Sequence, residues 1–251
     1  MKSLALLTLV GAAALPSSGS NTPAVKADET GSITGMVMFT GTRPDPKPEL
    51  SMGEKETAGC HHGDSLDKKD RSLLINDKGG VANVVLSIEV DGMEPTVPGD
   101  PIVFDQKGCR FEPHVAVVPV GATVRFDNSD ETNHNIHSFA KKNKAVNQNV
   151  AGGTNFDQKM EKSEVIEIKC DVHPWMKGYV VVTDATHFAK TGADGAFKIE
   201  GLPAGEYKVS WWHEELGKGK SEKVTVTAGA AADLKLEVGA AKKKKGGRRR
   251  R

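Results

Sequence analysis

Cys170, His173 and Met176 stand three residues apart in the run Cys170-Asp171-Val172-His173-Pro174-Trp175-Met176, and His134 lies upstream. A thiolate is a soft, strong donor that holds copper in either oxidation state. Two imidazoles complete a trigonal plane around it, and a thioether adds a long, weak axial contact. Such a set suits neither Cu(I) nor Cu(II) fully, so little rearrangement accompanies the gain or loss of an electron. Zinc fits one cysteine and two histidines but gains little from a thioether, so the set points to copper. Taken singly, each residue has a plainer reading: a lone cysteine is usually a small buried hydrophobe and a lone methionine core filler. His137 competes with His134, because residues three apart in a strand or tight turn aim differently.

These side chains need a scaffold of strands. The chain of 251 residues carries 27 Gly and 12 Pro, and its apolar residues come in short alternating runs, which predicts an all-β fold. Ile166, Ile168 and Cys170 share one face while Glu167 and Lys169 take the other, so Cys170 ends a strand. Pro174 stiffens the loop 171–177, and Tyr179–Thr183 reads as a buried strand. Three candidate donors on one tight loop can converge on a point. His134 must come from another loop, after the strand Thr123–Asp127 and the turn-rich Asn128-Ser129-Asp130. Further strands are expected at Ile33–Phe39, Val84–Val90 and Val115–Val120. In the C-terminal part they are expected around Phe197/Ile199, Tyr207/Val209/Trp211, Val224/Val226 and Leu234/Leu236/Val238.

The pattern Cys-x-x-His-Pro-aromatic-Met-x-Gly before a valine-rich strand resembles the cupredoxins, of the amicyanin and plastocyanin kind. His134-Asn135-Ile136-His137 resembles their first ligand motif, and Phe111–Asn128 the strands before it. The resemblance covers roughly residues 102–184. It implies a Greek-key β-sandwich with one type 1 copper ion held by His134, Cys170, His173 and Met176, and so selects His134 over His137. It also implies that Asn135 ties the two ligand loops together. By the same resemblance His173 reaches the surface in an apolar patch near Pro174 and Trp175, where a partner docks. With Cys170 assigned to metal, Cys60 and Cys109 remain and can pair in an oxidising compartment.

Thr191–Val209, with its Gly-Ala-Asp-Gly hairpin and Leu202-Pro-Ala-Gly205 turn, resembles the carboxypeptidase regulatory-like domains, a second small transthyretin-like β-sandwich. Gly35-Met36-Val37 and Gly80–Leu86 look like the first strands of such a domain. Residues 31–95 and 186–238 are therefore expected to fold together around an inserted 102–184 module, the alternative being two modules in tandem. Trp211-Trp212-His213-Glu214-Glu215 is read as a contact between the two. His61 and His62 are read as solvated, and His114 receives no role.

The ends read as separate from the fold. Lys2 and the apolar run Leu4–Leu15 before Pro16–Ser20 predict a signal peptide over residues 1–20, hence a periplasmic or extracellular protein. Lys242–Lys245 and Arg248–Arg251 place eight positive charges in a tail over 239–251. The formal net charge is only +1, so the rest of the chain is acidic. The tail suits an anionic lipid, glycan or acidic protein surface, and nucleic acid is not expected of an exported chain. The reading is one-electron transfer to an unidentified redox protein, without enzymatic activity. An oxidase or nitrite reductase needs further copper centres, and the sequence offers one convincing site. The alternatives are a copper carrier or store, and an adhesion or glycan-binding module.

Overall fold

The computed structural model describes residues 30–55, 57–60 and 66–239. The expected leader, the His61-His62 pair and the basic residues of the tail lie outside these. Among the described residues the secondary structure is all strand, as the alternation requires. The strands are β1 (Thr30–Phe39), β2 (Val85–Ile88), β3 (Ile102–Gln106), β4 (Phe111–Glu112), β5 (Val115–Pro119) and β6 (Thr123–Asn128). Then come β7 (His134–Ser138), β8 (Asn147–Val150), β9 (Asn155–Lys159), β10 (Glu164–Lys169) and β11 (Lys177–Thr183). The C-terminal set is β12 (His187–Lys190), β13 (Ala196–Pro203), β14 (Gly205–His213), β15 (Gly217–Lys218), β16 (Glu222–Val226) and β17 (Ala231–Val238).

Two sheet pairs enclose two cores. In one, the order β5-β11-β10-β7-β8 faces β4-β3-β6-β9, and Phe104, Phe111, Phe126, Ile136, Ile166, Ile168 and Val180 fill the space between them. In the other, β13-β1-β17 faces β12-β2-β14-β15, with β16 paired to β14, around Ile33, Val37, Leu86, Ile199, Val209 and Leu236. β1 runs antiparallel to β13 and parallel to β17, with Gly35 opposite both Phe197 and Leu234. Strands from before and after residues 102–184 thus share one sheet. The connector is divided: Leu50, Met52, Cys60 and Leu66, within the 31–95 range, pack into the core around Phe104.

The sandwiches meet through β11. Its residues 180–183 are buried on both faces, which is why they read as a continuous apolar run rather than an alternating one. Val180 and Val182 point into the core around Phe104, while Val181 packs with Val85 and Val115 from the two sides of the junction. Trp212 of β14 lies edge-on to Tyr179 at 5.3 Å between ring centroids. Trp212 and Glu214 of the Trp211–Glu215 segment thus stand between the sandwiches, whereas Trp211 packs in the second core, and β11, which carries the end of the candidate metal loop, is their neighbour.

Gly35 is required by that packing. A Cβ there would lie 1.9 Å from the Leu234 carbonyl oxygen and 3.0 Å from the Phe197 ring, both fixed by strand pairing. Gly35→Ala should cost about 3 kcal/mol, whereas Gly99→Ala, with nothing within 4 Å, should stay within about 0.5 kcal/mol. Paired urea melts check this, and equal midpoints for the two variants would contradict it.

Candidate metal centre

β7 and β10 set the donors side by side. Lys169 pairs with His137 and Ile168 with Ser138, so His134 begins β7 beside the point where the chain leaves β10 at Cys170. The loop then closes on itself: the Met176 N–H donates to the His173 carbonyl at 2.8 Å, and the Cys170 N–H to the Met176 carbonyl at 3.3 Å. His134, Cys170, His173 and Met176 are all buried. One donor atom from each of His134, Cys170 and His173 lies within 4.8 Å of the others. His134 Nδ1 and His173 Nδ1 are 2.8 Å apart, and Cys170 Sγ is 3.8 Å from His173 Nδ1. The Met176 side chain joins the same core cluster as Cys170.

The tautomers follow from the partners. His134 Nε2 lies 2.8 Å from Asp130 Oδ2. An ionised carboxylate only accepts, so Nε2 carries a proton. Two ring nitrogens 2.8 Å apart cannot both be protonated, so at least one Nδ1 lone pair is aimed into the cluster. Burial alone would raise the Cys170 thiol. The adjacent His134 and His173 imidazoles, with the Asn135 and His173 backbone amides, outweigh it and bring the thiol from 9.0 down to about 6. Burial alone would lower His134, yet Asp130 and Cys170 hold it above its usual value. For Asp130, burial is overcome by His134 and by the Cys109 and Gly108 amides, and its carboxyl stays below the usual range. A buried thiolate with two imidazoles and a carboxylate behind one of them is the donor chemistry a soft cation needs.

Asp130 is itself held by an anion-binding nest. Gly108 and Cys109 both adopt positive φ, 61° and 54°. Their successive N–H groups converge on the Asp130 carboxylate at 2.7 and 2.8 Å. Cys109 is disulfide-bonded to Cys60. The Cys109 carbonyl accepts the Trp175 indole N–H at 3.1 Å, and the Trp175 ring lies 5.2 Å from that of His173. One residue therefore steadies His134 through Asp130 and His173 through Trp175. Asn135 spans the two ligand segments, its Oδ1 accepting the Asp171 N–H at 2.8 Å and its amide donating to Asn147.

His173 was expected at the surface and is buried instead, because Trp175, pinned to Cys109, lies beside it. The exposed rim is Asp171, Val172 and Pro174, with Val172 54% exposed. His137 is absent from the buried donor groups. It bonds Asp171 Oδ1 at 2.8 Å and stacks on the exposed Phe139 at 4.4 Å. Cys60, Cys109, Asp130 and His134 also cluster, but two of those sulfurs are spent in the disulfide. His114, given no role from the sequence, bonds the buried Glu214 carboxylate from the other sandwich. Asp130 was not singled out. The available signal was a carboxylate four residues before a candidate histidine ligand in a turn-rich segment.

Residues 163–234 match the family model "Polysaccharide lyase family 4, domain II". No curated protein matches the chain. Solved structures similar to it include a Cu-containing nitrite reductase from Thermus scotoductus, at 24% identity over 36% of this chain and 25% of that one, with a TM-score of 0.32. A purple cupredoxin from Nitrosopumilus maritimus aligns at 32% identity over 29% of this chain and 81% of that one, TM-score 0.26. Amicyanin from Paracoccus versutus aligns at 19% identity over 39% and 97%, TM-score 0.31. The chain spans about a quarter of the length of the nitrite reductase.

With Cys60 and Cys109 bonded, Cys170 is the free thiol of the described chain. In metal-free protein its ultraviolet thiolate absorbance should titrate near pH 6 rather than near 9. A depressed thiol pKa contributes stability above the ordinary value, and that contribution is lost as pH falls through about 6. Asp130→Asn should move the titration upward and cost about 1–3 kcal/mol, since the nest amides and His134 lose a charged acceptor. A wild-type midpoint in the ordinary thiol range would show that the imidazoles do not stabilise the sulfur.

Proposed function

We propose that this chain is an exported blue-copper protein that passes single electrons. The observation carrying this reading is the convergence of Cys170 Sγ and the two Nδ1 atoms of His134 and His173 in one buried spot. His134, Cys170 and His173 would hold the ion, with Met176 as the weak axial donor, giving a single type 1 site. Copper bound there supplies a one-electron couple. The protein's own part is to keep the donors still: Asp130 fixes the His134 tautomer, Asn135 locks the loop to β7, and Trp175 keeps water from His173. Rigid, dry donors suit a centre that must change charge with little movement.

The exposed Val172 and Pro174, with Trp175 behind them, form the face for a redox protein partner. The candidate leader, and a disulfide that persists only in an oxidising compartment, support a periplasmic or extracellular site. The second sandwich, of the carboxypeptidase regulatory-like kind, positions the copper module, and the basic tail tethers it to an anionic surface. The chain has no enzymatic activity of its own in this reading. A second reading, carriage or storage of copper, draws support from the burial of His173, which leaves no ligand edge at the surface.

Addition of Cu(II) to purified protein should give an intense thiolate charge-transfer band at one ion per chain. The band should bleach on reduction and be absent in Cys170→Ser. Free copper at about a thousand times its Kd should stabilise the fold by about 4 kcal/mol. A colourless adduct would overturn the type 1 site. Reversible voltammetry supports the electron carrier, and a bound but electrochemically silent ion supports the store.

A further inference from the structure

Beside Trp175 lies a second feature that copper does not use. A cavity of about 220 Å3 opens where the connector, the metal loop and the second sandwich meet, and four cationic side chains line it: Lys47, Arg71, Arg110 and Lys177. Arg110 is the unusual one. It is more than nine-tenths buried, at 8% exposure. Among the described residues its guanidinium makes one hydrogen bond, from Nη1 to the Asp67 carbonyl at 2.8 Å, and forms no ion pair. A buried charge whose one direct partner is a neutral acceptor is costly to keep.

The nearby acids are already engaged. The Asp67 carboxylate takes Arg71 Nε and Nη2 at 3.1 and 2.8 Å, and Glu112 takes the remaining end of that guanidinium. Glu214 binds His114 and Lys177, and Glu215 binds Lys47 at 2.7 Å; Asp70, which lines the cavity with Glu215, accepts the Ser72 N–H at 2.8 Å. Burial and the adjacent Arg71 charge push Arg110 below its ordinary pKa, and the nearby Asp67, Glu112 and Asp70 carboxylates, none of them in an ion pair with it, offset this only in part. The planar fork of arginine matches oxygens set on one central atom. The cavity is smaller than the roughly 300–1,000 Å3 of sites for drug-sized ligands, and waters occupy about 30 Å3 each, so it has room for a small ion and a few waters.

We propose that this cavity is a binding site for a small inorganic oxyanion of the phosphate or sulfate class, with Arg110 as its principal ligand and Lys47 at its rim. Pro174 and Trp175 also line it, so occupancy is felt at the loop that carries Cys170 and His173. The site does not depend on copper, and it is tested without it.

The test uses the full metal-free chain, titrated with inorganic phosphate and then sulfate at ionic strength matched with chloride. Heat and tryptophan fluorescence are followed. One saturable site per chain is expected, with the fluorescence change lost in Trp175→Phe. Arg110→Gln should weaken binding by about tenfold or more. Lys47 and Glu215 are 40% and 37% exposed, so their variants should fold. Lys47→Gln should weaken binding a few-fold, and Glu215→Gln, which removes an acid from the lining, should tighten it. A response that rises linearly and is reproduced by chloride overturns the proposal. If Arg110→Gln does not fold, the opposite signs of the Lys47 and Glu215 variants decide; no change, or change in one direction, overturns it.

Discussion

The Asp130 carboxylate is the point on which the candidate centre hangs. It receives the Gly108 and Cys109 amides and His134 Nε2 while fully enclosed. A buried carboxylate with so many donors stays ionised, and an ionised carboxylate can only accept. That single constraint fixes which His134 nitrogen is protonated and turns the other toward Cys170 and His173. Remove the carboxylate and the imidazole can rotate or change tautomer, whatever the loop does.

The nest that holds Asp130 needs a non-glycine residue in the left-handed region, which is unfavourable by itself. Cys109 stays there because three connections over-determine it: the bond to Cys60, the amide to Asp130 and the carbonyl to Trp175. The connector that brings Cys60 crosses from the other sandwich, and the Glu131 N–H donates to the Gly59 carbonyl at 3.0 Å. The described part of the charged stretch between β1 and β2 is thus a brace running from one core to the turn behind the candidate metal loop of the other.

Much of this was legible in the sequence where period and spacing speak. β1, β6, β10, β14 and β17 show the alternation of one buried face, and Cys170, His173 and Met176 share a loop too short to separate them. β8 and β9 were missed because Asn147–Val150 and Asn155–Lys159 are largely polar and exposed, with no apolar face to reveal a strand. The burial of His173 was misread for a different reason. Its cover, Trp175, is oriented by a carbonyl 66 residues earlier in the chain, and no local pattern encodes so distant a contact. Asp130 stood in plain view, but its role depends on the same remote turn.

Trp175 brings the two halves of this chemistry together. One side of the indole packs on His173, and the residue also borders the cationic cavity at Arg110. Covering His173 strips water from the donors, which strengthens every electrostatic interaction among them. The same cover takes the imidazole edge from the surface, so contact with a partner must pass through the indole or the Val172–Pro174 rim. A charge arriving beside Arg110 would act on the group that shields the candidate ligand. Seclusion of the site and access to it are therefore set by one side chain, and that side chain is positioned by Cys109.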